Sequence, residues 1–213
     1  MSEKISLKDA ERKAFKLALQ DGLWDILLAC FTLMFAVAPL LSTSFGDFWS
    51  SAIFLPFWAL VYLVIKLLRK NVIKPRLGSV KFGPSRTARL LKFNLLTTSI
   101  LLVTFILGIL AAINFAALPG WTFPVSMGLG VLIGFTLAGY YLEFNELYFY
   151  GLLIALSPIV GEWLYFNLNV SHHGFPITFG ATSLVILISG LFKFVRILRE
   201  YPPFTTNTLS GAA

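Results

Sequence analysis

A chain of 213 residues, 57% hydrophobic and only 13% charged, with a mean hydropathy of +0.81, excludes an ordinary soluble domain, in which about a quarter of residues carry charge. The net charge of +7 and a pI of 9.6 are compatible with nucleic-acid binding, but no recognisable nucleic-acid fold is present and the apolar residues come in long blocks. Blocks of about 20 apolar residues match the hydrocarbon thickness as helices that satisfy their own backbone, which points to an all-α integral membrane protein.

In chain order, residues 1–21 form a cytoplasmic arm. Ser6 and Asp9 have capping-box spacing. At 100° per residue Leu7, Ala10, Ala14, Leu17 and Ala18 share one side with Phe15 at its edge, while Lys8, Arg12, Lys13 and Lys16 take the other. This predicts an amphipathic helix lying on the inner leaflet, with partner docking as the alternative, ended by Gly22 where the chain enters the bilayer. The arm carries acids as well as bases, and the block after it is long enough to span, so a cleaved secretory signal is not expected.

Six apolar blocks follow, at 22–41, 48–68, 91–118, 124–142, 147–166 and 179–198. They predict a six-transmembrane-helix bundle over 22–198, with a basic loop at 69–90 and a tail at 199–213. The third block is longest and is expected to tilt or extend into the cytoplasm. The single Cys30 lies in the first block and makes no intrachain disulfide.

Threaded with an inside start, all 17 Lys and Arg residues fall on one side. Five are in the arm, nine lie between Lys66 and Lys92, and the rest are Lys193, Arg196 and Arg199. The segments near Asp47, Trp121 and 166–178 carry none. By the positive-inside rule both termini are cytoplasmic, in a cell membrane. Trp24, Trp49, Trp121 and Trp163 fall near predicted boundaries, and Trp58 is deep in the second block.

Beyond setting topology, the loop places Ile73, Leu77, Val80 and Phe82 among cations and turn formers, with Pro75 and Gly78 bracketing a predicted tight turn. Ser85 is the expected N-cap of the next helix, and Arg86 there opposes its dipole unless an anion is bound. Arg76, Lys81, Arg86 and Arg89 are therefore the candidate anion-binding residues, with anionic inner-leaflet lipid as the expected partner. The stretch Lys74-Pro75-Arg76-Leu77-Gly78-Ser79-Val80-Lys81-Phe82 resembles a PR-I/L-G-x-VKF motif in a loose group of uncharacterised prokaryotic multi-pass membrane proteins. That group commonly has an aromatic residue where Ser79 stands, and is similar also in a DGL-type entry, here Asp21-Gly22-Leu23. The resemblance implies a prokaryotic cell membrane and no particular activity.

Small residues recur every four positions in two blocks: Thr104, Gly108, Ala112 and Ala116 in the third, Ser126, Gly130, Gly134 and Ala138 in the fourth. This predicts a tight antiparallel hairpin of these two helices at the bundle's centre. Gly151/Ala155 and Ser157/Gly161 repeat the spacing in the fifth, and the same faces would also serve contact with a second copy.

At mid-depth the blocks offer only Thr32, Thr104, Thr136, Ser157 and Ser189, which argues against an ion-coupled transporter. Nearer the faces, Asp21, Asp25, Glu143 and Glu146 are expected to pair with bases of the long loop. On the other side Glu162, His172 and His173, with Asp47, have ligand types suited to zinc but not the usual spacings, so no metal is expected and Glu162 is read as hydrogen-bonded. Asn169-Val170-Ser171 has the form of a glycosylation sequon. No phosphate loop, catalytic elbow or Cys pair occurs, so no cofactor and no catalytic residues are assigned. The leading expectation is a non-enzymatic scaffold, regulator or accessory subunit using its basic inner surface for lipid, a protein partner or a homo-oligomer. The alternatives are a passive channel or small-molecule transporter, and a lipid-acting intramembrane enzyme using Glu162 with His172 or Asp25 with Arg89.

Overall fold

The computed structural model describes residues 20–77, 87–88, 90–96, 98–99 and 121–202. These are helical almost throughout: α1 (Leu23–Ala52), α2 (Phe54–Leu68), α3 (Lys74–Leu77), α4 (Thr122–Leu142), α5 (Glu146–Leu168) and α6 (Phe175–Glu200). A π-helical turn, Arg69–Ile73, joins α2 to α3, and a 3-10 turn, His172–Gly174, precedes α6. Five stretches are long and apolar enough to cross a membrane: Leu23–Gly46, Phe48–Leu77, Thr122–Leu142, Glu146–Leu168 and His172–Glu200. They correspond to five of the six predicted blocks. The remaining block, 91–118, is helical over 91–96 and otherwise lies largely outside the described residues, as does the amphipathic arm.

Breaks in the helices have local causes. α1 is interrupted at Gly46, where φ 77 and ψ 163 suit glycine alone, and this separates the first two spans. The second span runs further than its apolar block because the chain stays helical through Pro75, where a tight turn was predicted. Proline lacks an N–H and its ring clashes with the carbonyl four residues back. The preceding π-turn widens the ladder at that point, with the Lys74 N–H donating to the Arg69 carbonyl. Lys66, Arg69, Lys70, Lys74 and Arg76 thus sit along one helical stretch, not on a loop.

Burial runs opposite to that of a soluble bundle. Phe48, Leu55 and Phe192 are more than 70% exposed, whereas Asp21, Asp25, Thr32, Ser157, Glu162, Thr182 and Ser183 are buried. Lipid is as apolar as leucine, so helices in it gain from close packing and interhelical hydrogen bonds instead of from hiding apolar surface. The hydrogen bonds are present: Ser157 with Thr182 at 2.9 Å, Tyr150 with Ser189 at 2.8 Å, and Ser183 Oγ to the Ala29 carbonyl at 2.9 Å. They join α5 to α6 and α6 to α1 around a core of Ala29, Ala36, Tyr150, Ile154, Phe179 and Ile186.

Two glycine contacts bring backbones together at opposite poles. Gly22, at φ 79, lies so close to Gly190 that a Cβ on either would strike the other's carbonyl oxygen. At the other pole a Cβ on Gly174 would stand 2.6 Å from the Gly161 carbonyl oxygen. Toward α5, α4 makes its close approach at Gly128, where a Cβ would meet the Ala155 carbonyl oxygen at 2.6 Å, and at Gly139 against the Tyr148 ring. Gly130 and Gly134 have no described atom within 4 Å of that position. The residues predicted to meet them, Thr104, Gly108, Ala112 and Ala116, lie outside the described residues.

Candidate functional site: a charged cluster at the end of an aromatic cavity

The Gly22–Gly190 contact sets the first turn of α1 against the last third of α6, which places Asp25 beside Lys193. Lys193 Nζ donates to Asp25 Oδ2 at 2.8 Å, stands 3.4 Å from Glu146 Oε1, and donates to the Tyr150 hydroxyl at 3.4 Å. It also lies over the Phe144 ring at 5.1 Å and the Tyr150 ring at 5.6 Å. Three helices thereby contribute to one cation: α1 through Asp25, α5 through Glu146 and Tyr150, and α6 through Lys193 itself. Asp25 is 2% exposed and Lys193 19%. This corrects one expectation: Asp25 and Glu146 pair with Lys193, which is 19% exposed, instead of with the long loop. The physical reason is reach: α6 continues as helix to Glu200, so Lys193 is held a full two turns inside its end.

The cluster does not balance. One cation faces two carboxylates, and Asp25 Oδ1 and Glu146 Oε2 are buried with no hydrogen-bond partner. Buried acceptors are rarely left in this state.

Asp21, outside the spans, behaves as expected from sequence. Its Oδ2 accepts from Arg69 at 2.9 Å and its Oδ1 from the Leu23 N–H at 2.9 Å, capping α1. Burial, the largest influence, raises its carboxyl above the ordinary value, and Arg69 offsets this only in part. The Arg69 guanidinium also lies 5.2 Å from the centre of the Trp24 ring.

Beside the charged cluster is a cavity of about 820 Å³, within the range of sites for drug-sized ligands. Its aromatic lining is Trp24, Phe31, Trp58, Tyr62, Phe93, Phe135 and Phe144, with leucines between them. Asp25 and Asn94 are its polar side chains apart from the Trp and Tyr edges. Phe93 and Asn94 come from the start of the third block, so that segment closes one wall. Trp58, out of place as a boundary residue, has a role here: its ring packs against Phe31 at 5.5 Å within the cavity wall.

Of the candidate anion-binding residues, Arg76 is half-buried and its Nε has no hydrogen-bond partner; Lys81, Arg86 and Arg89 lie outside the described residues. At the opposite pole His173 Nδ1 and Glu162 Oε2 are 2.8 Å apart, with the Tyr165 ring 4.4 Å from the imidazole. Glu162 therefore partners His173, not the His172 invoked in the enzymatic alternative, and Asp25 partners Lys193. Among the described residues no group of three His, Cys, Asp or Glu is placed to hold a metal ion. Asn169 caps α5 in the left-handed conformation. Sequence reasoning missed the cavity and the Lys193 cluster. The available signal was Lys193 lying five residues inside the end of the apolar block 179–198.

The described chain is all-helical with five candidate membrane spans, which makes it a multi-pass membrane protein by length and composition. Comparison with protein-family models, curated proteins and solved structures finds no match for it.

Proposed function

We propose that the chain is a multi-pass protein of the cytoplasmic membrane, both termini inside, that admits a small lipophilic molecule into the cavity between its helices, as the binding step of a small-molecule transporter. The observation that supports this reading is the cavity itself: about 820 Å³ walled by aromatic rings from four helical segments and by Phe144 of the turn between α4 and α5. A packed scaffold has no need of such a space, because helices in lipid gain by closing on one another. The test is binding of the neutral lipophile N-phenyl-1-naphthylamine to the protein in nanodiscs, with empty nanodiscs as the blank. Saturable binding that is lost in Leu27→Trp, which fills the cavity from its wall, supports the reading; no saturable excess over the blank removes it.

A second reading, a regulatory or scaffold protein acting through a basic inner surface, is favoured by Lys66, Arg69, Lys70, Lys74 and Arg76 standing on one helical stretch. Clusters of this size beside a span attract anionic lipid at about 1 kcal/mol per base. Lipid analysis of the purified protein tests it: anionic lipid enriched in the native chain and lost when exposed Lys66, Lys70 and Lys74 are changed to Ala supports it, and equal lipid in both removes it.

A further inference from the structure

We infer that the cavity is a site for a protonated organic amine, its ammonium N–H donating to Asp25 Oδ1 and its apolar body lying among the rings. The inference rests on the cavity being a binding site and adds the chemical class of its occupant.

Three observations lead to that class. First, Asp25 is the charged side chain in the cavity wall, 2% exposed, with Oδ2 engaged by Lys193 and Oδ1 lacking any partner. A buried carboxylate oxygen without a protein donor is a hydrogen-bond position that a ligand's N–H or O–H, or a water, fills. Second, the charge is uneven. Lys193 serves both the buried Asp25 and the part-exposed Glu146, which leaves one excess negative charge at the end of the cavity. A monocation completes the set; a neutral ligand leaves it incomplete and an anion worsens it. Third, the remaining wall suits a cation with an apolar body. Trp24, Phe31, Trp58, Tyr62 and Phe93 present aromatic rings to the space, and ring faces attract organic ammonium groups. The adjoining Phe144 ring already accommodates Lys193 Nζ at 5.1 Å. An inorganic cation is disfavoured, because it needs several oxygen ligands and the wall is mainly carbon.

The test uses the full chain in nanodiscs and equilibrium dialysis with three compounds of one shape: protonated dibenzylamine, its N,N-dimethyl quaternary analogue, and neutral dibenzyl ether. The amine is expected to bind about tenfold or more tighter than the ether, as a hydrogen bond to a charged group implies. The quaternary ion, with charge but no N–H, falls between. Asp25→Asn is expected to bring the amine down to the ether's affinity while leaving the ether unchanged. Should Asp25→Asn not fold, Glu146→Gln decides: it keeps the Asp25–Lys193 pair, removes the excess charge, and is expected to weaken the amine several-fold and not the ether. Equal binding of amine and ether, or an amine preference unmoved by both substitutions, overturns the amine inference and leaves the cavity reading standing. Binding of none of the three overturns both.

Discussion

Lys193 reaches Asp25 across 168 residues of sequence, with Nζ 2.8 Å from the carboxylate. The pair exists because Gly22 and Gly190 let the two backbones touch one turn away. Breaking a buried pair by removing one partner costs about 3–5 kcal/mol, since the other charge is left uncompensated. Lys193→Ala is expected to lose that much, seen as a large fall in the unfolding midpoint in detergent. Lys193→Met combined with Asp25→Asn is expected to recover most of it. A double variant no more stable than Lys193→Ala would show that the pair is not what the helices are built around.

The backbone approach itself is tested by two glycines of similar φ. Gly22→Ala meets the Gly190 carbonyl and the Phe194 N–H in addition to its left-handed φ of 79, whereas Gly46→Ala, at φ 77, meets no described atom within 4 Å. The strain of the backbone alone is about 1–3 kcal/mol. Gly46→Ala should therefore lose about that much, and Gly22→Ala about 1–3 kcal/mol more from overpacking. Equal losses measured by thermal unfolding would contradict the close contact.

Asp21 separates capping from charge. Asp21→Asn keeps an oxygen for the Leu23 N–H and is expected to be nearly neutral, whereas Asp21→Ala loses the cap at a cost of about 1 kcal/mol. The pH dependence has a definite sign. A carboxyl raised by burial takes up a proton more readily in the folded state than in the unfolded, so this group's contribution to stability grows as pH falls through its folded pKa and is lost as pH rises. The native chain is thus expected to gain on Asp21→Asn as the solution is acidified. A difference that moves the other way would mean Arg69 outweighs burial.

The spans were legible because an apolar run of fixed length is a local property, and Leu23–Gly46, Thr122–Leu142 and Glu146–Leu168 begin and end within a few residues of the blocks that predict them. The Asp21–Arg69 pair was legible for the same reason, each partner standing at the mouth of an adjacent span. Partner choice between distant helices was not. Gly128 and Gly139, not the regularly spaced Gly130 and Gly134, meet α5, because four-residue spacing marks a helix face without saying which neighbour it meets. Gly22 and Gly190 are single glycines with no spacing at all. Lys193 falls inside the predicted block 179–198, but a sequence window does not say which acids of distant segments it meets. The cavity draws residues from separate segments, each an ordinary apolar or aromatic position on its own, so no local pattern announces it.

In the proposed arrangement the bilayer keeps the cation-rich pole on the cytoplasmic side and the His173 pole on the other. Cysteine labelling of intact cells with a membrane-impermeant maleimide tests this directly, in a Cys30→Ser background with Lys74→Cys at one pole and Asn167→Cys at the other, both exposed positions. Asn167→Cys is expected to label in intact cells, and Lys74→Cys only after the membrane is permeabilised. Labelling of Lys74→Cys from outside, in cells that leave Asn167→Cys untouched, would contradict it.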